Sequence, residues 1–163
     1  MKNLEIKEVK MIIELAKIEQ LKEINELAKQ VHDIHVKLRP DIFKTEEEMI
    51  SKERLESLIL NNEIFIARDE EKVIGYAIIS LKERIGVTGM HDRKIIDLEA
   101  ICVDEECRGK GVGRKFIKYL IEHGKQKGCT DFYLNVYEDN IKARKFYESI
   151  GMKVRNINYS MKI

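Results

Sequence analysis

Residues 97–113 read D-L-E-A-I-C-V-D-E-E-C-R-G-K-G-V-G, an apolar strand that breaks into a glycine-rich turn opening a helix. Gly109, Gly111 and Gly113 stand at the head of residues 112–126, which otherwise favour a helix. A glycine inside a helix costs roughly 1 kcal/mol against alanine, so three this close together require a separate reason. A group lying against the backbone supplies one. The first N–H groups of a helix point outward unpaired, and the helix dipole there favours an anion. Phosphate or pyrophosphate is the expected ligand.

Upstream of the turn, residues 95–103 form the strand that feeds it. Ile64 to Arg68 and Val73 to Leu81, joined by the charged turn Asp69 to Lys72, read as an antiparallel hairpin, with Lys82 to Asp92 a loop or ragged strand end. Met11 to Lys17 reads as the first strand, with the ten residues before it a tail or an extension of that strand. From Glu19, the apolar residues Leu21, Ile24, Leu27, Ala28, Val31 and Ile34 recur at helical spacing. That helix is expected to end near Arg39, because the sole proline, Pro40, disfavours helical geometry in the residue before it. Thr45 with Glu48 forms a capping-box pattern for a second helix running to about Leu60.

Downstream, Lys127-Gly128 stops the helix, and Phe132 to Tyr137 reads as a strand. Asn140 then caps a short helix, Ile141 to Ser149, ended by Gly151, and Met152 to Met161 reads as a closing strand. The order is strand, two helices, three strands, helix, strand, helix, strand. It predicts an α/β (mixed α+β) three-layer sandwich: a mixed, mostly antiparallel twisted sheet with helices on both faces, and not a doubly wound sheet. No repeat, linker or low-complexity tract interrupts the 163 residues, so a single domain, 1–163, is expected.

Composition narrows the functional classes. The chain is 44% hydrophobic and 36% charged, and no apolar run approaches the ~18 residues of a membrane span. Met1 to Lys10 contains no signal-peptide core, so a cytoplasmic protein without a membrane partner is expected. Thirty basic residues against twenty-nine acidic ones give a net charge of +1, which argues against nucleic acid as the main partner. Cys102, Cys107 and Cys129 are odd in number and form no C-x-x-C pair, so they read as reduced thiols. His32 and His35 stand one helical turn apart but lack a third ligand in sequence, and no metal is expected.

Two common phosphate motifs do not fit the turn. A P-loop needs G-x-x-x-x-G-K-[ST], whereas Gly113 is followed by Arg114 and Lys115 with no hydroxyl for magnesium. A dinucleotide fingerprint needs G-x-G-x-x-G and an acidic residue closing the next strand, whereas here the spacing is G-x-G-x-G and Asp131 precedes its strand. What remains, R-G-K-G-V-G directly after I-C-V-D, resembles the acyl-CoA pyrophosphate loop of the GNAT superfamily of N-acetyltransferases. Downstream, N-I-K-A-R-K-F-Y-E-S-I-G-M-K resembles the family's Asn-x-x-Ala-x-x-Phe-Tyr-x-x-x-Gly-Phe, with Met152 in place of the last Phe. The resemblance extends over most of the chain, although residues 4–72 match it only in pattern.

The resemblance implies an N-acetyltransferase that moves an acetyl group from acetyl-CoA to a primary amine by direct attack in a ternary complex, without a covalent intermediate or a metal. An amine with a pKa near 10.4 is mostly protonated at neutral pH, so a base or a relay of waters must take its proton. Asp97 and Glu99, two apart on a strand, are expected on one face together with Ile101 and Val103. Glu99 is the first candidate and Asp97 the reserve. Holding the acceptor amine is the other catalytic role open to them, and two carboxylates solvated at a strand end are the plainer alternative.

Further roles are implied by the same resemblance. Backbone groups of Ile101, Cys102 and Val103 would hold the pantetheine arm and the thioester carbonyl, where this strand splays from Phe132 to Tyr137. Backbone amides of Arg108, Gly109, Lys110, Gly111, Val112 and Gly113 would hold the pyrophosphate, with added charge from Lys110 and Arg114. Tyr147 is implied as the acid for the departing thiolate, although its spacing with Ala143, Phe146 and Ile150 also allows it a place in the core. Asn140 is implied to contact the cofactor arm while capping its helix.

Residues 32–43 resemble the segment that walls the acceptor site, so His35, Arg39 and Phe43 are expected acceptor contacts. The acceptor itself stays open between a small-molecule amine and an amine on a protein. A non-catalytic acyl-CoA-binding or sensing module with the same fold is the alternative function. A homodimer pairing through the last strand is a further option.

Overall fold

In the computed structural model, which describes residues 11–70 and 72–163, five strands form one open sheet in the order β1-β2-β3-β4-β5. They are β1 (Met11–Leu15), β2 (Ile64–Asp69), β3 (Lys72–Arg84), β4 (Arg93–Val103) and β5 (Asp131–Leu134). Neighbours run antiparallel except β4 and β5, which are parallel. Four helices accompany them: α1 (Leu21–Leu38), α2 (Lys52–Leu60), α3 (Val112–Gln126) and α4 (Ile141–Ser149). The mixed sheet and its helical layers match the α/β expectation. The tail or strand extension expected before Met11 lies outside the described residues.

Strand alternation sorts the core onto the two faces. Ile64 and Ile66 of β2 meet α1 and α2 through Ile24, Leu27, Leu55 and Leu58. Their neighbours Phe65 and Ala67 face the other way, toward Phe116, Ile117 and Leu120 of α3. Because both faces are covered, β2 reads as a continuous apolar run and not as alternating residues.

β4 departs from simple alternation. Ile78 of β3 faces Ala100 while Ile79 faces Leu98, so Glu99 is an extra residue and marks a β-bulge. Ile96 and Leu98 pack on the α3 face before the bulge. Beyond it Ala100 and Cys102 turn to the α1/α2 face, and Ile101 and Val103 to the α3 face. The expected common face for Asp97, Glu99, Ile101 and Val103 is therefore corrected. The bulge leaves Asp97, which alternates with Ile96 and Leu98, on the α1/α2 side and sends Ile101 and Val103 to the opposite one.

Several boundaries also differ from the sequence reading. The second helix begins at Lys52, capped by Ser51 Oγ accepting from Arg54 N at 3.2 Å, and not at Thr45. Asn25 of α1 explains the difference. Its Oδ1 accepts from Met49 N and Ile50 N, both at 2.9 Å, and its Nδ2 donates to Ile50 O at 2.8 Å. These backbone groups are thereby committed to α1 and unavailable to a helix. β3 continues to Arg84, β4 begins at Arg93, and β5 stops at Leu134 short of Tyr137.

The closing strand over Met152–Met161 does not form; residues 152–163 belong to no strand. Their apolar pattern suits a strand, but a strand requires a neighbour to complete its ladder. The spans of α3 and α4 agree with expectation, as does the end of α1 ahead of Pro40.

Replacing Asn25 with Ala leaves two backbone N–H groups without their acceptor. We expect a loss of about 1–3 kcal/mol of stability in urea unfolding and faster hydrogen exchange at the Met49 and Ile50 amides. An unchanged exchange rate at those amides would refute this role for Asn25.

Candidate active site

β4 keeps its pairing with β3 as far as Val103, but pairs with β5 only from Ile95 with Asp131 to Leu98 with Leu134. Beyond that point the parallel strands part. The β5-facing backbone of residues 99–103, the stretch that leads toward the glycine turn, has no ladder partner in β5. At the end of β4, Arg108 Nε donates to Val103 O at 2.9 Å and Arg108 Nη2 to Gln30 Oε1 at 3.3 Å, which fastens the turn to both the strand and α1.

The three glycines of the turn answer two different requirements. Gly109 and Gly111 have φ of +76° and +81°, left-handed conformations in which a Cβ is strained. A Cβ on either would meet no atom within 4 Å, so the surface of the turn is open. At Gly113 a Cβ would lie 3.2 Å from Phe146 Cζ, so this glycine lets α3 seat against α4. The first bond of α3 runs from Lys115 N to Gly111 O at 3.1 Å. The N–H groups of Val112, Gly113 and Arg114 precede it and are open to an acceptor, and no acidic residue stands in that turn. Arg114 Nη2 donates to Ser149 O at 3.3 Å, tying it to the end of α4, while Lys110 is exposed.

α4 presents the downstream motif beside this turn. Asn140 Oδ1 accepts from Ala143 N at 3.1 Å, so the expected cap is formed. Phe146 packs with the α3-side core, and Tyr147 lies outside both core clusters with its ring centroid 5.3 Å from that of Phe146. Burial raises the Tyr147 phenol above its ordinary pKa, so at neutral pH it stays protonated. Cys102 is buried, and desolvation pushes its thiol up to about 11, which keeps it from acting as a nucleophile.

On the α1/α2 side, the carboxylates of β4 are ion-paired. Asp97 meets Lys82 of β3, and Glu99 lies 3.6 Å from Arg54 of α2. The Asp97 side chain is only 16% exposed and that of Glu99 41%, so the two do not sit alike. Directly across from Asp97, Ser80 Oγ is buried and bonds to no other group among the described residues.

His35, Phe43 and Tyr137 gather beyond the end of β5. The His35 and Phe43 rings stack with centroids 5.1 Å apart, and Tyr137 meets them edge-on at 6.1 and 5.5 Å. The Arg39 guanidinium lies 5.4 Å from the Tyr137 ring centroid and holds Asp41 through two hydrogen bonds, at 2.9 and 2.6 Å. Burial, and then the nearby His32, lowers the pKa of His35, which favours a neutral imidazole. His32 Nε2 lies 2.7 Å from Lys44 O and helps hold the loop.

The structure brings His35, Arg39 and Phe43 together around Tyr137, a residue that the sequence does not single out. Tyr137 lies beyond β5 and belongs to no periodic pattern, so only the approach of α1 reveals it. Asn25, Gln30 and Ser80 escape a sequence reading for the same reason. Among the described residues, no group of three or more His, Cys, Asp or Glu side chains is placed to hold a metal ion. No helix among them is long and apolar enough to cross a membrane.

Comparison with known proteins bears on the family and the fold. The model of the acetyltransferase (GNAT) family matches residues 20–152. Spermine/spermidine N(1)-acetyltransferase of Bacillus subtilis is 31% identical over 85 residues, covering 52% of this chain and 55% of that protein. Thialysine N-epsilon-acetyltransferase of Sus scrofa is 43% identical over 58 residues, 36% of this chain and 34% of the relative. The chain thus spans about half the length, or less, of these curated relatives. Among solved structures, a tetramutant of the BH1408 protein of Bacillus halodurans superposes with a TM-score of 0.88 at 31% identity, covering 93% of this chain and 99% of that one. Aminoglycoside N-acetyltransferase AAC(6')-Iy, solved in complex with CoA, shares the fold at 22% identity and a TM-score of 0.66, covering 93% of this chain and 100% of that one.

Proposed function

Because the chain belongs to the acetyltransferase (GNAT) family, we propose that it is an acetyl-CoA-dependent N-acetyltransferase, a single cytoplasmic domain that acetylates a primary amine in a ternary complex. The observation that carries this reading is the parting of β4 from β5 directly ahead of a left-handed glycine turn. One gap there lays extended backbone beside a helix start that attracts anions, the two needs of a long acyl carrier ending in a pyrophosphate. In this reading the backbone of Ile101, Cys102 and Val103 holds the pantetheine arm and polarises the thioester carbonyl. The amides from Arg108 to Gly113 hold the pyrophosphate, and Asn140 borders the arm.

The acceptor amine enters from the α1/α2 side, where Glu99 and Asp97 lie. Its nitrogen attacks the thioester carbon and forms the C–N bond. The ammonium proton passes to Glu99, to Asp97 or through water. The C–S bond then breaks, and the departing thiolate takes the proton of the Tyr147 phenol. Arg54 and Lys82 hold the two carboxylates until the cationic amine competes for them. The His35–Phe43–Tyr137 cluster, with Arg39 over Tyr137, walls the acceptor entrance. Spermine, spermidine and thialysine, named for the relatives, are all amines, so a small-molecule amine is the acceptor class these relatives favour.

Tyr147→Phe is expected to lower kcat by about 10²-fold or more while leaving CoA affinity unchanged by calorimetry. Equal turnover in the variant would remove the acid role from Tyr147. Gly111→Asp sets a side chain on a φ of +81° and a carboxylate at the anion site, and should abolish CoA binding while circular dichroism shows the fold retained. CoA affinity equal to that of the unaltered protein would sink the assignment of the turn. CoA binding without thiol release on any amine in a broad panel would favour the acyl-CoA-sensing module instead.

A further inference from the structure

Ser80 of β3 carries a side chain that the fold does not use. Its Oγ is buried and bonds to no other group among the described residues, although the residue as a whole is only partly buried. A hydroxyl offers one donor and two acceptor positions, and burying all of them without a partner is unfavourable. A binding role would account for keeping it.

The β3–β4 register places a carboxylate opposite this hydroxyl. Ser80 faces Asp97, whereas Lys82 faces Ile95. Lys82 stands two residues along β3 and so shares the Ser80 face. Its ammonium nevertheless bonds Asp97, so the Lys82 side chain reaches diagonally to the carboxylate across from Ser80. The Asp97 side chain is 16% exposed and that of Lys82 55%, so an enclosed carboxylate is met by a cation on an exposed arm. Glu99 differs on both counts: it is the more exposed carboxylate, and as the bulge residue it has no β3 partner in the register.

Lys82 shows which chemistry Asp97 accepts, because its head is itself a primary ammonium, and the bond to Asp97 raises its pKa. Such a head carries three N–H donors, yet none of those on Lys82 reaches Ser80 Oγ. A lysine head is tethered to its own strand. A primary ammonium free of that tether is able to donate one N–H to Asp97 and a second to Ser80 Oγ, which gives the buried hydroxyl its missing partner.

We propose that Ser80 Oγ and the Asp97 carboxylate together seat the primary ammonium of the acceptor, and that Lys82 holds this seat until the acceptor displaces it. This assignment rests on the acetyl-transfer reading, which supplies the acceptor. It makes Asp97, and not Glu99, the carboxylate that meets the amine, and Ser80 the residue that sets specificity. A primary ammonium satisfies both oxygens and keeps one N–H over, whereas a quaternary ammonium has no N–H for either.

The test is a titration of the isotopically labelled full chain with n-butylamine hydrochloride, followed by amide chemical shifts, with tetramethylammonium chloride as the control that lacks N–H donors. The amides of Ser80, Lys82 and Asp97 should shift along one saturable curve with the primary amine and stay in place with the control. Ser80→Ala should weaken this binding about tenfold, Ser80→Thr should retain it, and Lys82→Met should strengthen it by freeing the seat. In urea unfolding Ser80→Ala should be no less stable than the unaltered chain, because the hydroxyl it loses has no partner in the free protein. A purely structural serine gives the reverse, a loss of stability with unchanged amine binding. Equal binding by Ser80→Ala, equal or weaker binding by Lys82→Met, or equal shifts with tetramethylammonium would each overturn the proposal. The titration needs no turnover: amine bound at this seat without thiol release on any amine ends the acetyl-transfer reading and leaves the seat standing. Turnover with the same amine KM in Ser80→Ala as in the unaltered chain does the opposite.

Discussion

β4 serves two partners that ask for different lengths. Its antiparallel bonding to β3 runs to Val103, while its parallel bonding to β5 stops at Leu98 with Leu134. Everything proposed for the site depends on that inequality. Buried backbone N–H and C=O groups must find partners, and on the β5-facing edge of residues 99–103 the sheet does not supply them. A ligand with an extended polar chain can, while β3 stays bonded to the other edge of β4. The bulge at Glu99 falls at the same place, where one strand edge is bonded and the other is released.

In the proposed site, the turn that follows gives this unpaired stretch a direction. Gly109 and Gly111 allow two left-handed residues within three, which aims the first N–H groups of α3 outward. Gly113 does something else. By omitting a Cβ it admits Phe146, so α4 packs close against α3 and carries Asn140 and Tyr147 to the same end of the sheet. Two loci far apart in sequence are thereby positioned by a single missing side-chain atom. The opposite wall relies on Asn25, whose amide holds the loop between α1 and α2 through three hydrogen bonds to Met49 and Ile50.

Much of this is legible in the amino-acid sequence. Periodicity and caps place α3 and α4, because their apolar stripes and the Asn140 cap are local properties of contiguous residues. Pro40 marks the end of α1 for an equally local steric reason. Thr45 with Glu48 is a sound local signal for a helix start and still fails, because Asn25, distant in sequence, bonds the backbone that such a helix would need. Residues 152–163 carry a sound strand pattern and make no strand, since a ladder needs a second chain segment in register.

By itself the sequence determined the α/β class, the helices around the glycine turn and the unpaired N–H groups that open α3. These rest on torsional preference, hydrophobic period and unpaired helix N–H groups, all set within a few residues. Only the tertiary structure decided which faces the β4 residues occupy, because the Glu99 bulge exists only relative to β3. It alone showed that Asp97 and Glu99 are held by Lys82 and Arg54, and that Tyr137 completes the ring cluster with His35 and Phe43. Such facts depend on pairings between distant segments, and no short-range pattern encodes the register in which those segments meet.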